Sequence, residues 1–182
     1  MNEPLHKKID EEKKRELVEG LIDQYGKALI NFAYTYVKDW SLAEDIVQEV
    51  FISVYKADQY VNITAYKAWL FTITANKSKD LLRRKYFKTD LFVGIRNYFW
   101  KAITHTPEME VMADAENRLV STQVFDLPIK YREVIILYYY EDLSTSEISD
   151  LLRLNPSTVK SRLQRGRHLL KRNLEGSDWF EA

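Results

Sequence analysis

Cysteine is absent from the 182 residues, which excludes disulfides and thiolate metal sites and suits a reducing compartment. Glycine and proline are scarce, five and four residues, and no Asn-Gly hairpin signal occurs, so the chain is expected to be helical nearly throughout. No apolar run approaches the ~18 residues that read as a membrane span. The first 20 residues are charged and lack an apolar centre, so no secretory signal is expected there. Histidine is sparse as well: His6, His105 and His168 lie far apart in unrelated contexts. There is no glycine-rich phosphate loop, no G-x-S-x-G and no H-E-x-x-H. Asp45 and Glu49 could chelate a metal, but nothing near them supplies the remaining ligands. The expectation is a cytoplasmic protein that is not an enzyme and carries no metal or cofactor.

Net charge is also lacking, with 27 basic and 27 acidic residues, yet the balance hides segregation. Cations gather in Lys77–Lys88 and Arg153–Arg172, and acids in Asp39–Glu49 and Glu108–Glu116. Separated blocks point to two kinds of partner, one of them anionic.

The most informative absence is local. From Leu151 to Leu174 no acidic residue occurs, while Arg153, Lys160, Arg162, Arg165, Arg167, Lys171 and Arg172 are all basic. A solvated helix face usually mixes signs to gain i,i+4 pairs, so an ordinary surface helix is the weaker reading. Two amphipathic segments flank the turn Leu152–Asn155. The first carries the capping box Ser144/Glu147; the second opens on Pro156, where proline is best tolerated. Together they read as a helix-turn-helix whose second helix faces a polyanion. On a helical wheel Val159, Leu163, Gly166 and Leu170 share the side expected to pack on the first helix. Ser157, Ser161, Gln164, Arg165 and His168 share the other, where short polar side chains suit base edges. Lys160 and Arg162 flank it, where phosphates would lie.

Upstream, Leu17, Leu21, Tyr25, Leu29, Phe32 and Tyr36 form a core-facing helical stripe after a charged lead-in of 15 residues. The next helix is expected to start from a second capping box, Ser41/Glu44. Its Ala43, Val47, Val50, Phe51 and Val54 face the core. Asp45, Gln48, Glu49 and Ile52 face outward, and an isoleucine among acids suggests a docking face rather than a solvated one. Residues 57–64 form a polar loop. A long helix from Tyr66 to Lys88 then changes from aromatic to basic. Its aromatics beside cations could stack bases of a single strand, though core is the favoured place for Trp69 and Ile73. Residues 91–117 read as a linker, with Phe92, Tyr98, Phe99 and Trp100 needing cover. After it, two helical segments split at Leu127-Pro128, and Val134, Ile135, Leu137 and Tyr138 are expected to pack the helix-turn-helix.

Three stretches, AEDIVQEVF (43–51), AWLFTITANKSKDLLRR (68–84) and STVKSRLQRGRHLLKRNL (157–174), resemble signatures of bacterial sigma factors of the extracytoplasmic-function group, in the right order and spacing. The resemblance covers roughly residues 15–175. It implies an all-α chain of two small helical domains joined by a linker. Residues 1–90 would bind core polymerase and the promoter −10 element. Residues 91–117 would thread the polymerase cleft, and residues 118–182 would form the helix-turn-helix domain that reads the −35 element. Asp45, Gln48 and Glu49, with Ile52 beside them, would meet the coiled coil of the polymerase β′ subunit, and Phe51 would support them. Tyr60 and Asn62 fall in the loop that receives a flipped −10 base; Trp69, Asn76, Asp80, Arg83 and Arg84 lie along the melted strand. Ser157, Thr158, Lys160, Ser161, Arg162 and Arg165 would contact the −35 element. Further implied partners are the β flap and an anti-sigma factor, often membrane-bound in this group.

The chain departs from the group in its Val61-Asn62-Ile63 loop, in Arg153 and Ser157 where glycine is usual, and in Gly166 where alanine is common. The residues alone leave two other readings: a free-standing helix-turn-helix regulator, and an interaction protein using only the Asp45/Ile52 face. The first leaves that face unexplained; the second leaves the acid-free stretch unexplained.

Overall fold

The computed structural model of the chain describes residues 3–57, 66–86 and 122–175, and the side chains of 11–57, 66–84 and 122–175. The expected loop contacts of Tyr60 and Asn62 and the aromatic linker 91–117 lie outside those residues. Every long regular element described is a helix: α1 Glu3–Val37, α2 Trp40–Lys56, α3 Tyr66–Tyr86, α4 Ile129–Tyr139, α5 Thr145–Leu152 and α6 Pro156–Glu175. One compact unit comprises residues 1–82 with 150–153, and the other 83–149 with 154–182.

In the first unit α1 packs on α2. The stripe predicted for α1 delivers Leu21, Leu29, Phe32 and Tyr36 to the core, and Leu17 and Tyr25 to its margin. From α2 come Ala43, Ile46, Val47, Val50, Phe51 and Val54, all buried at helical spacing. The α3 helix adds Leu70, Phe71 and Ala75, and the Phe71 ring lies 5.1 Å from that of Phe32. The expected core placement of Trp69 and Ile73 is met only halfway, since both are half-buried.

The start of α2 differs from the sequence expectation. Asp39, not Ser41, is the N-cap: it is extended (φ −148°, ψ 120°) and its Oδ1 accepts from the Leu42 amide at 3.0 Å. Ser41 sits exposed inside the helix. The physical reason lies one turn earlier. Lys38 turns left-handed (φ 56°), and Trp40 stacks on Tyr34 with ring centroids 4.1 Å apart. That stack fixes Trp40 as the first helical residue, so the preceding carboxylate is the one placed to cap.

In the second unit, residues 122–126 are helical and the chain bends at Leu127-Pro128, as the sequence implied. The buried Arg132 guanidinium donates to the Leu127 carbonyl through Nε (3.1 Å) and Nη2 (2.7 Å). It thereby satisfies an acceptor left at a bend where proline supplies no amide. Val134, Ile135, Ile136 and Leu137 are all buried, so α4 is covered on nearly every side there. Tyr138, expected to pack the helix-turn-helix, is instead exposed, as are Tyr139 and Tyr140. The apolar run is longer than the surface available to cover it at its C-terminal end.

The Ser144/Glu147 capping box forms as expected. The Glu147 carboxylate accepts from the Ser144 amide at 2.8 Å, and Ser144 Oγ accepts from the Glu147 amide at 3.2 Å. The far end of α5 is a Schellman motif, with Leu154 N–H donating to Ser149 C=O (2.9 Å) and Arg153 N–H to Asp150 C=O (3.3 Å). Arg153 occupies its left-handed position at φ 53°. After Asn155, α6 starts on Pro156.

Candidate functional site

Three surfaces carry the residues singled out by sequence. On α2, Asp45, Gln48, Glu49 and Ile52 are all exposed, Ile52 by 53%, opposite the buried set. Tyr55, 42% exposed, prolongs the same strip one turn onward. The i+3 step from Ile52 was the available signal for it. Glu49 also reaches across to α3, where Lys77 Nζ lies 3.1 Å from its Oε2.

Along α3, Asn76, Asp80, Arg83 and Arg84 are exposed in succession and Trp69 is half-buried. Asp80 and Arg83 both make interactions of their own, so this is a mixed-sign face and not a bare cationic groove. Ser78, on the buried side, has a hydroxyl with no hydrogen-bond partner among the described residues.

On α6, Ser157, Lys160, Ser161, Gln164, Arg165 and His168 are exposed, and Thr158 is half-buried. Ser161 Oγ donates to the Thr158 carbonyl at 3.0 Å, which leaves its lone pairs outward. The opposite side holds Val159, Leu163 and Gly166, as the wheel requires, but its partner is α4 more than α5. A Cβ on Gly166 would stand 3.0 Å from Ile135 Cγ1 and 3.6 Å from Tyr131 Cβ, so the glycine is where the two helices approach closely. With α4 so covered by apolar side chains, α6 has more to bury there than against the eight-residue α5.

Arg162, expected to flank the polar face, is half-buried beside it and turns its guanidinium toward α4. Its Nη1 lies 2.9 Å from Glu133 Oε1, with the two side chains 24% and 5% exposed. A carboxylate so buried needs a cation, and the arginine that pattern reasoning assigned to phosphate meets that need. Arg165 is placed differently. Its guanidinium, the largest cause, and the nearby Lys130 ammonium hold the Tyr131 phenol below its ordinary range despite partial desolvation. Lys130 and Tyr131, at the start of α4, therefore adjoin the polar face of α6. No helical period within α6 could have announced them.

Among the described residues no group of three or more His, Cys, Asp or Glu side chains could hold a metal ion. No described helix is long and apolar enough to cross a membrane.

Comparison with known proteins follows these divisions. Residues 21–87 match the family model for sigma-70 region 2, and residues 126–170 match that for sigma-70 region 4. The chain is 29% identical to the ECF RNA polymerase sigma factor SigW of Bacillus subtilis, covering 93% of this chain and 96% of that one. It is 30% identical to the ECF RNA polymerase sigma factor SigL of Mycobacterium tuberculosis, covering 87% and 89%. Among solved structures, it resembles the sigma factor RpoE of Bartonella quintana, crystallised with the anti-sigma factor NepR. That likeness has a TM-score of 0.66 at 22% identity, over 87% of this chain and 97% of that one, and speaks for the fold.

Proposed function

The chain belongs to the extracytoplasmic-function group of the sigma-70 family, and on that premise we propose how its surfaces divide the work of directing promoter-specific transcription. Residues 1–90 form the unit that docks on core RNA polymerase and handles the −10 element; residues 91–117 link it to residues 118–182, which read the −35 element. Asp45, Gln48, Glu49 and Ile52 meet the β′ coiled coil, an acid-and-apolar strip against a basic and apolar partner. Tyr60 and Asn62 meet a flipped −10 base, and Trp69, Asn76, Asp80, Arg83 and Arg84 follow the melted strand. Ser157, Thr158, Lys160, Ser161 and Arg165 face the −35 element; Arg162 is left out because Glu133 holds it. The β flap is a further polymerase contact.

The observation that carries this division is the pairing, on one chain, of two exposed faces of opposite character. One is the Asp45–Ile52 strip; the other is the polar face of α6, within a stretch free of acids. A free-standing regulator has no use for the first. The chain works without catalysis of its own and in the cytoplasm, where polymerase and promoter are, and an anti-sigma factor, often membrane-bound in this group, holds it in check. Reconstitution with core polymerase tests the reading. Purified chain is expected to enter holoenzyme and to redirect run-off transcription to a matching promoter. Specific binding to that duplex without polymerase, together with no redirection of transcription, points to the free-standing regulator instead.

A further inference from the structure

Glu49 lies on the outward strip of α2 and Lys77 on α3, and the two side chains meet at 3.1 Å. The ion pair thus joins two surfaces that the proposed function gives to different partners. Lys77 directly follows the exposed Asn76 and precedes Asp80 by three residues, so it stands on the helix that follows the DNA strand. Neither polymerase docking nor strand contact, considered alone, accounts for why the two are tied.

We propose that the Glu49–Lys77 ion pair is exchanged when polymerase docks: a cationic group of the polymerase takes the Glu49 carboxylate, and the freed Lys77 ammonium binds a phosphate of the DNA strand along α3. This rests on the reading of the Asp45–Ile52 strip as the polymerase-binding face. Accessibility permits it, because the Glu49 side chain is 68% exposed and an incoming cation reaches it unhindered. Lys77 is 29% exposed, its stem partly covered and its head held at the carboxylate. Energetics permit it too, since an ion pair open to solvent contributes little and separates at small cost. Lysine suits such an exchange, because its ammonium is a point charge on a flexible four-carbon stem and needs no fixed fork geometry to change partners. In the free protein one elementary positive charge is thereby neutralised on the strand-facing helix. In holoenzyme it becomes available, which makes DNA grip conditional on docking.

Exchange has a signature that a merely supporting ion pair lacks. If Lys77 competes with polymerase for Glu49, its removal tightens one complex and weakens the other. If it orients Glu49 for polymerase, its removal weakens both.

The test uses the full chain with core polymerase, comparing wild type, Lys77→Gln, Glu49→Gln and the double variant. Lys77→Gln is expected to tighten core binding about two- to five-fold, the range of an exposed pair. In the Glu49→Gln background the same change has no effect on core affinity, which separates exchange from a general charge effect. With holoenzyme and a single-stranded oligonucleotide spanning the −10 region, Lys77→Gln lowers the slope of log affinity against log salt by about 0.7. Unchanged or weakened core binding by Lys77→Gln, tightening that persists without Glu49, or an unchanged salt slope each overturns the exchange. Should Glu49→Gln itself leave core affinity unchanged, the docking assignment falls and the exchange with it. Should Glu49→Gln weaken core binding while Lys77→Gln does nothing, only the exchange falls.

Discussion

Arg162 Nη1 sits 2.9 Å from Glu133 Oε1, and the carboxylate it reaches is almost wholly enclosed in the second unit. The pair ties the middle of α6 to the middle of α4 at a distance of 29 residues in sequence. Removing one partner of a buried pair costs more than the pair contributes, because the other charge stays behind. Arg162→Ala is therefore expected to destabilise the second unit by about 2–3 kcal/mol, below the range for a fully enclosed pair because the arginine is partly open. Glu133→Gln in the same chain should recover part of the loss, which a double-mutant cycle by chemical denaturation reads directly. Transcription should fall to a similar degree on every −35 sequence. A loss confined to particular bases would return Arg162 to the DNA face.

Gly166 stands where α6 comes nearest α4. Alanine there would improve helix propensity by about 1 kcal/mol. Its Cβ, however, would lie 3.0 Å from Ile135 Cγ1 and 3.2 Å from Ile135 Cδ1. Ile135 is 2% exposed and has little room to withdraw. Overpacking of this kind costs about 1–3 kcal/mol, so Gly166→Ala should be destabilising on balance, by about 1 kcal/mol. The midpoint of urea unfolding checks it, and a rise in the midpoint would show that Ile135 can yield.

Arg153 offers the reverse case. Its left-handed backbone (φ 53°) closes α5 in a position that favours glycine. Its side chain is exposed. Arg153→Gly should raise stability by about 1 kcal/mol, the left-handed penalty less the added freedom of the unfolded chain. The unfolding midpoint should shift upward with an unchanged denaturant slope. A fall in stability would mean that the arginine side chain contributes more than its backbone costs.

Periodicity carried the helices well because their faces are set by burial. The stripes at Leu21–Tyr36 and Ala43–Val54 each match the side chains that are enclosed, and the outward Asp45, Gln48, Glu49 and Ile52 follow from the same wheel. Capping chemistry was legible where local sequence alone decides it, as at Ser144/Glu147. It failed at Ser41/Glu44, where a stack between Tyr34 and Trp40 moved the helix start. The candidate site was less legible wherever a side chain answers to a distant one. A wheel places Arg162 beside a polar face but is blind to a buried glutamate 29 residues away. It is equally blind to Tyr131 beside Arg165, and to Lys77 beside Glu49. Charge segregation located the surfaces; which cations remain available on them is a tertiary property.

The Tyr131–Arg165 contact gives a prediction that turns on pH. The guanidinium holds the phenol below its ordinary range, so the folded state favours phenolate relative to the unfolded chain. A depressed acid adds stability that is present in full above the unfolded value, near pH ~10, and disappears as pH falls through the folded value. Stability should thus rise with pH across the interval below about 10 more in the wild type than in Tyr131→Phe. Arg165→Ala should move the Tyr131 titration back toward the ordinary range, as read from its ring resonances. The same substitution should reduce transcription from −35-dependent promoters. If Arg165 reads a base, the loss is about 1–3 kcal/mol on the matched sequence and small on others. If Tyr131 instead steers it to the backbone, the loss is uniform and the salt slope of promoter binding falls by about 1. Loss of transcription in Tyr131→Phe with the fold intact, equal on every −35 sequence, would place the phenol in that steering role, and wild-type levels of transcription in Tyr131→Phe would remove it.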